Sequence, residues 1–363
     1  MKKSEKILLY IFIILIITNN MLQNSLYFRI PQLIGLGIDA ISYVYFAILI
    51  IKYLKIKKWK LIITFLIIIS ACYTGYVTNN LTLLSSVMFL IITAITNYKE
   101  IIKLSNRTIG IVLFIHILIY LLQMFLGNVS VSPDWSGRTR YLLGFISPNT
   151  SGIYILWWVI GKVYLSNYNI KRVLTYTVII IIIFYLNRCR SMLYSAIILL
   201  ILTFCINKNI GTKIIKFLAK NIILIMTFAI IISINLYNIE FKPILNIDKL
   251  FSNRIFFSTQ AINDNGYTIL GQQVKHSIVR IDNYVGEIVM DVTYTALLYR
   301  YGIVYLILLV LLSKYITKNY SENEYSLLII YGVFAMLELY SLNFIICFPM
   351  LFGAIWIGEK NDT

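Results

Sequence analysis

The sequence predicts an all-α, polytopic integral membrane protein with about twelve transmembrane helices and both termini in the cytoplasm. Three observations carry that reading. Of the 363 residues 60% are hydrophobic, and the mean hydropathy is +0.82. Only 13% are charged, where a soluble domain carries about a quarter. Apolar runs of about 17–25 residues, long enough to cross a bilayer as a helix, recur from end to end.

The chain opens MKKSEKILLYIFIILIITNN, a basic start and an apolar core that imitate a secretory signal. No small-x-small cleavage site follows, so the stretch is expected to remain as the first helix. The apolar runs then place spans at roughly 7–22, 32–51, 61–77, 81–97, 108–127, 142–161, 173–187, 191–206, 221–237, 291–312, 324–340 and 343–357. Taken alternately, the connections separate by charge. With the amino terminus inside, 19 of the 22 lysines fall on the cytoplasmic side, leaving Lys242, Lys249 and Lys275 outside. That bias sets the orientation. The net charge of +17 is then topological signal plus attraction to anionic membrane lipid, and needs no nucleic-acid partner. Residues 1–363 read as a single transmembrane domain.

The arginines are distributed differently. Arg107 and Arg172 are inside, Arg300 falls within the tenth span, and Arg29, Arg138, Arg140, Arg188, Arg190, Arg254 and Arg280 fall outside. This excess runs against the orientation rule, so another demand must favour it. Arginine differs from lysine in its planar, always-charged fork, which grips phosphate in bidentate fashion.

Two outer connections are long: about 128–141, and 238–290, a long external loop between spans nine and ten expected to carry short surface helices. Phosphate-loop, dinucleotide-glycine, HExxH and GxSxG motifs are all missing from the sequence. Its two histidines cannot build a multi-histidine metal site, and its four cysteines show neither metal-ligand spacing nor a disulfide framework. Neither cofactor nor metal is expected. His116, mid-span in VLFIHILIY, reads as a helix-packing hydrogen bond. No internal repeat is visible, and acidic residues inside the spans are few, chiefly Asp39 and Glu338; an ion-coupled carrier would show more.

Three patches remain. RTRYLLGFISPNTSG puts Arg138 and Arg140 at the outer boundary, with Gly144, Pro148, Asn149 and Gly152 at the head of a span. That suits either irregular backbone lining a polar cavity or a plain helix start with interfacial arginines. NRCRS, residues 187–191, is the tight outer turn of a helical hairpin. Its Arg188 and Arg190 either snorkel to the interface or hold an anion, and Ser191 either shapes that site or caps the eighth helix. The third patch runs from Arg254 to DVTYTALLYRYG, with Asp291 and Tyr294 one turn apart at the mouth of span ten and Arg300 deeper.

GFISPNTSG after an Arg-bearing outer loop, then the NRCRS hairpin, then a long outer loop closing in DVTYTALLYRYG, resembles a Wzy-type polysaccharide repeat-unit polymerase. The arrangement also resembles the wider O-antigen polymerase and ligase superfamily, which includes capsule polymerases. The resemblance covers residues 138–302. Ser147 stands where the family often has a histidine, the SRS-like element is Arg188-Cys189-Arg190-Ser191, and Asp291-Val292 replaces the His-Asn pair often found in ligases.

The resemblance implies a membrane glycosyltransferase on the external face of the cell (cytoplasmic) membrane. The growing undecaprenyl-pyrophosphate-linked chain would be the donor, and the non-reducing hydroxyl of a new lipid-linked repeat unit the acceptor. Preorganised guanidinium groups would stabilise the leaving pyrophosphate: Arg138, Arg140, Arg190 and Arg254, with Arg188, Arg280 and Arg300 in reserve. The attacking hydroxyl needs a proton acceptor; Asp291 is the first candidate, His276 the second and Asp282 a third, against the alternative that Asp291 only caps a helix. Asn149, Ser191 and Tyr294 would shape the site. Trp135, Tyr267 and Tyr284 would stack on sugars or anchor at the interface. A chain-length regulator and a flippase are the partners such an enzyme works beside. An O-antigen-ligase-like transferase shares the donor chemistry, and a flippase or exporter of lipid-linked oligosaccharide is the alternative from another class.

Overall fold

The computed structural model describes residues 1–54, 58–133, 139–275, 278–281, 284–287, 290–318 and 320–357. In chain order the helices are α1 (Lys3–Gln23), α2 (Gln32–Tyr53), α3 (Lys58–Thr78), α4 (Thr82–Ala94) and α5 (Tyr98–Phe125). A hairpin of β1 (Val131–Pro133) and β2 (Thr139–Tyr141) leads to α6 (Pro148–Leu165), α7 (Ile170–Asn187), α8 (Arg190–Asn207) and α9 (Thr212–Asn238). Then come α10 (Lys242–Leu250), α11 (Arg254–Asn265), an antiparallel pair β3 (Ile278–Ile281) and β4 (Tyr284–Glu287), α12 (Thr293–Ala296), α13 (Ile303–Ile316), α14 (Glu322–Leu337) and α15 (Ala354–Ile357).

Among the described residues seven helices are long and apolar enough to cross a membrane: α1, α2, α3, α5, α7, α8 and α9. Helices α4, α13 and α14 are apolar but shorter. Large apolar side chains such as Leu33, Ile51 and Phe125 stand exposed on these helices, as they do where the neighbour is lipid. The architecture is that of an all-α membrane protein with two small hairpins added.

The chain forms two compact units, one of Met1–Ile56 with Met88–Ile210 and Ile357–Thr363, the other of Lys57–Val87 with Gly211–Trp356. In the first, α6 is the buried core helix, packed on α5, α7 and α8, while α1 packs on α2 and α5. The GFISPN turn sets its entry. Gly144 has φ +87, and a Cβ there would lie 3.0 Å from the His116 carbonyl, so only glycine fits. Ser147 then caps α6 by accepting from the Asn149 amide at 3.2 Å, with Pro148 at the first helical position. His116 does the packing work expected of it. Its Nδ1 donates to the Val112 carbonyl at 2.8 Å, which leaves Nε2 to accept from the Ser25 hydroxyl at 2.9 Å. Its ring stacks on Phe145 at 4.6 Å.

In the second unit α9 is the spine, with α11, α13 and α14 against it. Two expected spans are not continuous α-helices here. The tenth (291–312) is broken: after one α-turn, α12, comes a π-helical turn, Leu297–Tyr301, then Gly302 at φ +114, and only then α13. Glycine is required at 302, where a Cβ would lie 2.4 Å from the Ile269 carbonyl. The loop 268–272 receives the broken backbone: the Thr268 amide donates to Leu298 O at 3.0 Å, the Gln272 amide to Arg300 O at 3.1 Å, and the Ile303 amide to Thr268 O at 2.9 Å. Irregular backbone is tolerated at membrane depth where protein satisfies it in this way.

The expected twelfth span (343–357) is not a continuous helix: after a 3₁₀ turn at Leu339–Leu342 the chain runs irregularly to a second one at Phe348–Gly353 and ends in the single turn α15. It nonetheless runs the length of α14. It leaves the end of α14 at Glu338, and by Pro349 and Phe352 it has reached Tyr320, which precedes that helix. Side chains satisfy it on the way: Tyr331 OH donates to Ser341 O at 3.1 Å, and Ser86 Oγ donates to Leu342 O.

Candidate active site

The most buried cluster of paired charges among the described residues lies in the second unit. It starts from the way α11 begins. Ser252 and Asn253 both take left-handed backbone, φ 60 and 61, and turn the chain back from α10. The buried Asp248 carboxylate of α10 then accepts from the Ile255 amide at 2.7 Å and the Phe256 amide at 3.1 Å, closing the first turn of α11. Arg254, the first residue of that helix, is thereby aimed rather than left to search. Burial pushes the Asp248 carboxyl above its ordinary value, while the two amides oppose that shift.

Arg254 Nη2 lies 3.0 Å from Glu338 Oε1 and 3.3 Å from Asp291 Oδ2. Glu338 is buried, at 3% exposure, and Arg254 nearly so, at 13%, whereas Asp291 keeps 31%. Asp291 is therefore the member of the cluster that an outside group can reach. It stands in non-helical backbone ahead of α12, outside the apolar helices, and Val292 rather than Asp291 takes the cap position. Burial holds its carboxyl above the usual carboxylate range; the neighbouring Glu338 charge adds to the rise and Arg254 opposes it. Two carboxylates sharing one guanidinium nitrogen favour a state in which one of them can take up a proton.

The floor of this cluster is hydroxyl-rich and closed. Thr293 Oγ1 donates to Glu338 O at 2.8 Å and bonds Ser341 Oγ at 2.6 Å, and Thr295 Oγ1 donates to Ser258 Oγ at 3.0 Å. Tyr294 does not share a helical face with Asp291, because the helix begins only at Thr293. Its ring is fully buried and its hydroxyl donates to Gly332 O at 2.9 Å, so its role is to pack α12 on α14. Arg300 is not a charge inside a continuous helix. From the π-turn its Nη2 donates to the Thr78 carbonyl at the end of α3, 3.4 Å away, and its guanidinium lies over the Tyr301 ring at 5.3 Å.

In the first unit the GFISPN and NRCRS stretches interlock. Arg188 ends α7 in left-handed backbone, φ 55, and the Cys189 amide donates to Asn187 Oδ1 at 3.0 Å, making a tight turn into α8. A Cβ on Gly152 would lie 2.6 Å from both Cβ and Sγ of Cys189, so α6 and the turn meet with no room between them. Strand β2, which carries the half-buried Arg140, touches α7. Arg190 stands exposed as the first residue of α8, at the end of the helix that favours anions. The other two groups of the turn are engaged differently. The Arg188 guanidinium lies over the Tyr185 ring at 5.5 Å, and the buried Ser191 Oγ lies 3.3 Å from Cys189 Sγ. Cys189, not Ser191, takes the cap position of α8. Asn149 contributes its carbonyl toward Cys189 Sγ at 3.9 Å.

Trp135, Arg138, His276 and Asp282 lie outside the described residues, and for Arg280 and Tyr284 only the strand backbone is described. Tyr267 is exposed beyond the end of α11. Glu338 is the participant that sequence reasoning passed over as a site residue. The signal was an acidic residue in an apolar segment, which is costly unless it has a partner. Among the described residues no group of three or more His, Cys, Asp or Glu side chains could hold a metal ion.

No family model matches the chain, and neither a curated protein nor a solved structure matches it.

Proposed function

We propose that the protein is a membrane glycosyltransferase that polymerises undecaprenyl-pyrophosphate-linked oligosaccharide repeat units at the outer face of the cytoplasmic membrane. The observation that carries this reading is Arg254 held between a buried Glu338 and a reachable Asp291. With the amino terminus inside, the end of α9, the start of the broken tenth span and the end of α14 all face outward. Those are the segments that supply Arg254, Asp291 and Glu338. The segment 339–357 makes the return crossing without being a regular helix, and the sequence resemblance adds Arg140 and Arg190 as outer arginines offered to the pyrophosphate.

The chemistry follows from these groups. The acceptor's hydroxyl oxygen attacks the anomeric carbon of the donor, the bond from that carbon to phosphate oxygen breaks, and lipid pyrophosphate leaves with the electron pair. Asp291 accepts the hydroxyl proton, and its raised proton affinity suits a base working near neutral pH. Arg254 anchors that carboxylate and brings positive charge to the forming pyrophosphate.

The test uses purified protein with synthetic lipid-pyrophosphate-linked repeat units. A ladder of longer lipid-linked glycans is expected on a gel, lost in Asp291→Asn and Arg190→Ala protein that still folds. Transfer of one finished glycan to a different acceptor would make the protein a ligase. Passage of the intact unit across a proteoliposome bilayer, with no ladder, would make it a flippase.

A further inference from the structure

Helix α10 has three faces rather than two. Ile244 and Asp248 are buried against the protein. Lys242, Asn246 and Lys249 are exposed on the side opposite. Between them lies an apolar face that the fold leaves uncovered, with Ile247 exposed by 41% and Leu250 by 65%. A helix lying on a soluble surface needs only a buried face and a wet one. A third, dry face at right angles to both is what a helix needs at the corner where protein, water and hydrocarbon meet.

The position of α10 identifies the occupant. It begins four residues after α9, whose 27 residues make about 40 Å of helix, more than the roughly 30 Å of a hydrocarbon core. The end of α9 therefore emerges at the membrane boundary, and α10 follows at once. Of the three residues between, Ile239 and Phe241 are apolar and exposed, by 71% and 46%, and they flank an exposed Glu240. The two lysines on the wet face suit lipid phosphates.

We infer that α10 is an interfacial helix, seated with Ile247 and Leu250 in the acyl boundary and Lys242 and Lys249 at the level of the lipid phosphates. The seating requires only that α9 spans the membrane and does not depend on the catalytic reading. It does place Arg254 at a fixed depth, because Asp248 on the buried face of α10 holds the first turn of α11.

Spin labels on Ile247→Cys, Leu250→Cys and Asn246→Cys test this, each in full-length protein with Cys72→Ser and Cys205→Ser, reconstituted in phosphatidylglycerol–phosphatidylcholine vesicles. Collision with oxygen and with a water-soluble nickel chelate reports depth, whether or not the protein is active. The oxygen-to-nickel ratio is expected to be several-fold higher at 247 and 250 than at 246. Equal nickel access at all three positions would overturn the inference. So would labels at 247 and 250 shielded from both reagents, because the face would then be covered by protein. Two labelled positions on the same exposed face guard against one variant misfolding.

Discussion

Glu338, at the end of α14, and Arg254, at the start of α11, meet at 3.0 Å although 84 residues separate them. The contact brings the last turn of one helix to the first turn of another and buries a full charge on each. Breaking such a pair from one side leaves the other charge stranded. Arg254→Met should therefore cost about 3–5 kcal/mol, and Arg254→Met with Glu338→Leu substantially less than the two single changes combined. Thermal unfolding in detergent measures both, and strict additivity would show the pair to be independent.

The same contact sets a pH dependence. On the proposed reading Asp291 must be ionised to accept a proton, so polymer formation should rise with pH as the carboxyl titrates above its ordinary range. Glu338→Gln removes a negative neighbour that raises the Asp291 proton affinity, so the acid limb should move to lower pH. Arg254→Gln removes the opposing positive charge and should move that limb to higher pH, with a lower plateau. Initial rates between about pH 5 and pH 8 decide it; shifts of the same sign in both variants would remove Asp291 as the base.

Gly152 and Cys189 supply a packing test in the first unit. Gly152→Ala places a methyl group 2.6 Å from both Cβ and Sγ of Cys189, and should destabilise by about 1–3 kcal/mol through overpacking. Cys189→Ala removes only the sulfur and should relieve only part of that cost, whereas Cys189→Gly should relieve more. Unfolding temperatures of the four proteins measure the order.

Much of this was legible in the sequence, and the exceptions share a cause. Hydropathy locates apolar segments of sufficient length, and where the segment satisfies its own backbone, as in α1, α2 and α9, it also gives the right element. It cannot distinguish a helix from a buried irregular segment of equal apolarity. The segment 343–357 was expected as a span, and Asn343 and Pro349 were the marks against a regular helix there. Span ten failed for a related reason: Gly302 was visible, but its φ and the loop at 268–272 that receives the break are tertiary facts. Arg254 and Asp291 were both named from the sequence, yet as separate roles. Their common nitrogen, and Glu338 as the third member, needed the chain's return from α14.

The irregular course of residues 338–352 also fixes an order of assembly. An α-helix can enter a membrane alone because its backbone needs nothing outside itself. The stretch 339–352 instead depends on Ser86 and Tyr331 for its carbonyls and on Tyr320 to receive Pro349. All three precede it in the chain, so it settles only once α4, α14 and the connection ahead of α14 are in place to receive it. Glu338 stands at the head of that stretch. The charge cluster around Arg254 is thus completed last, and a nascent chain halted before α14 carries its arginine without the carboxylate that locks it.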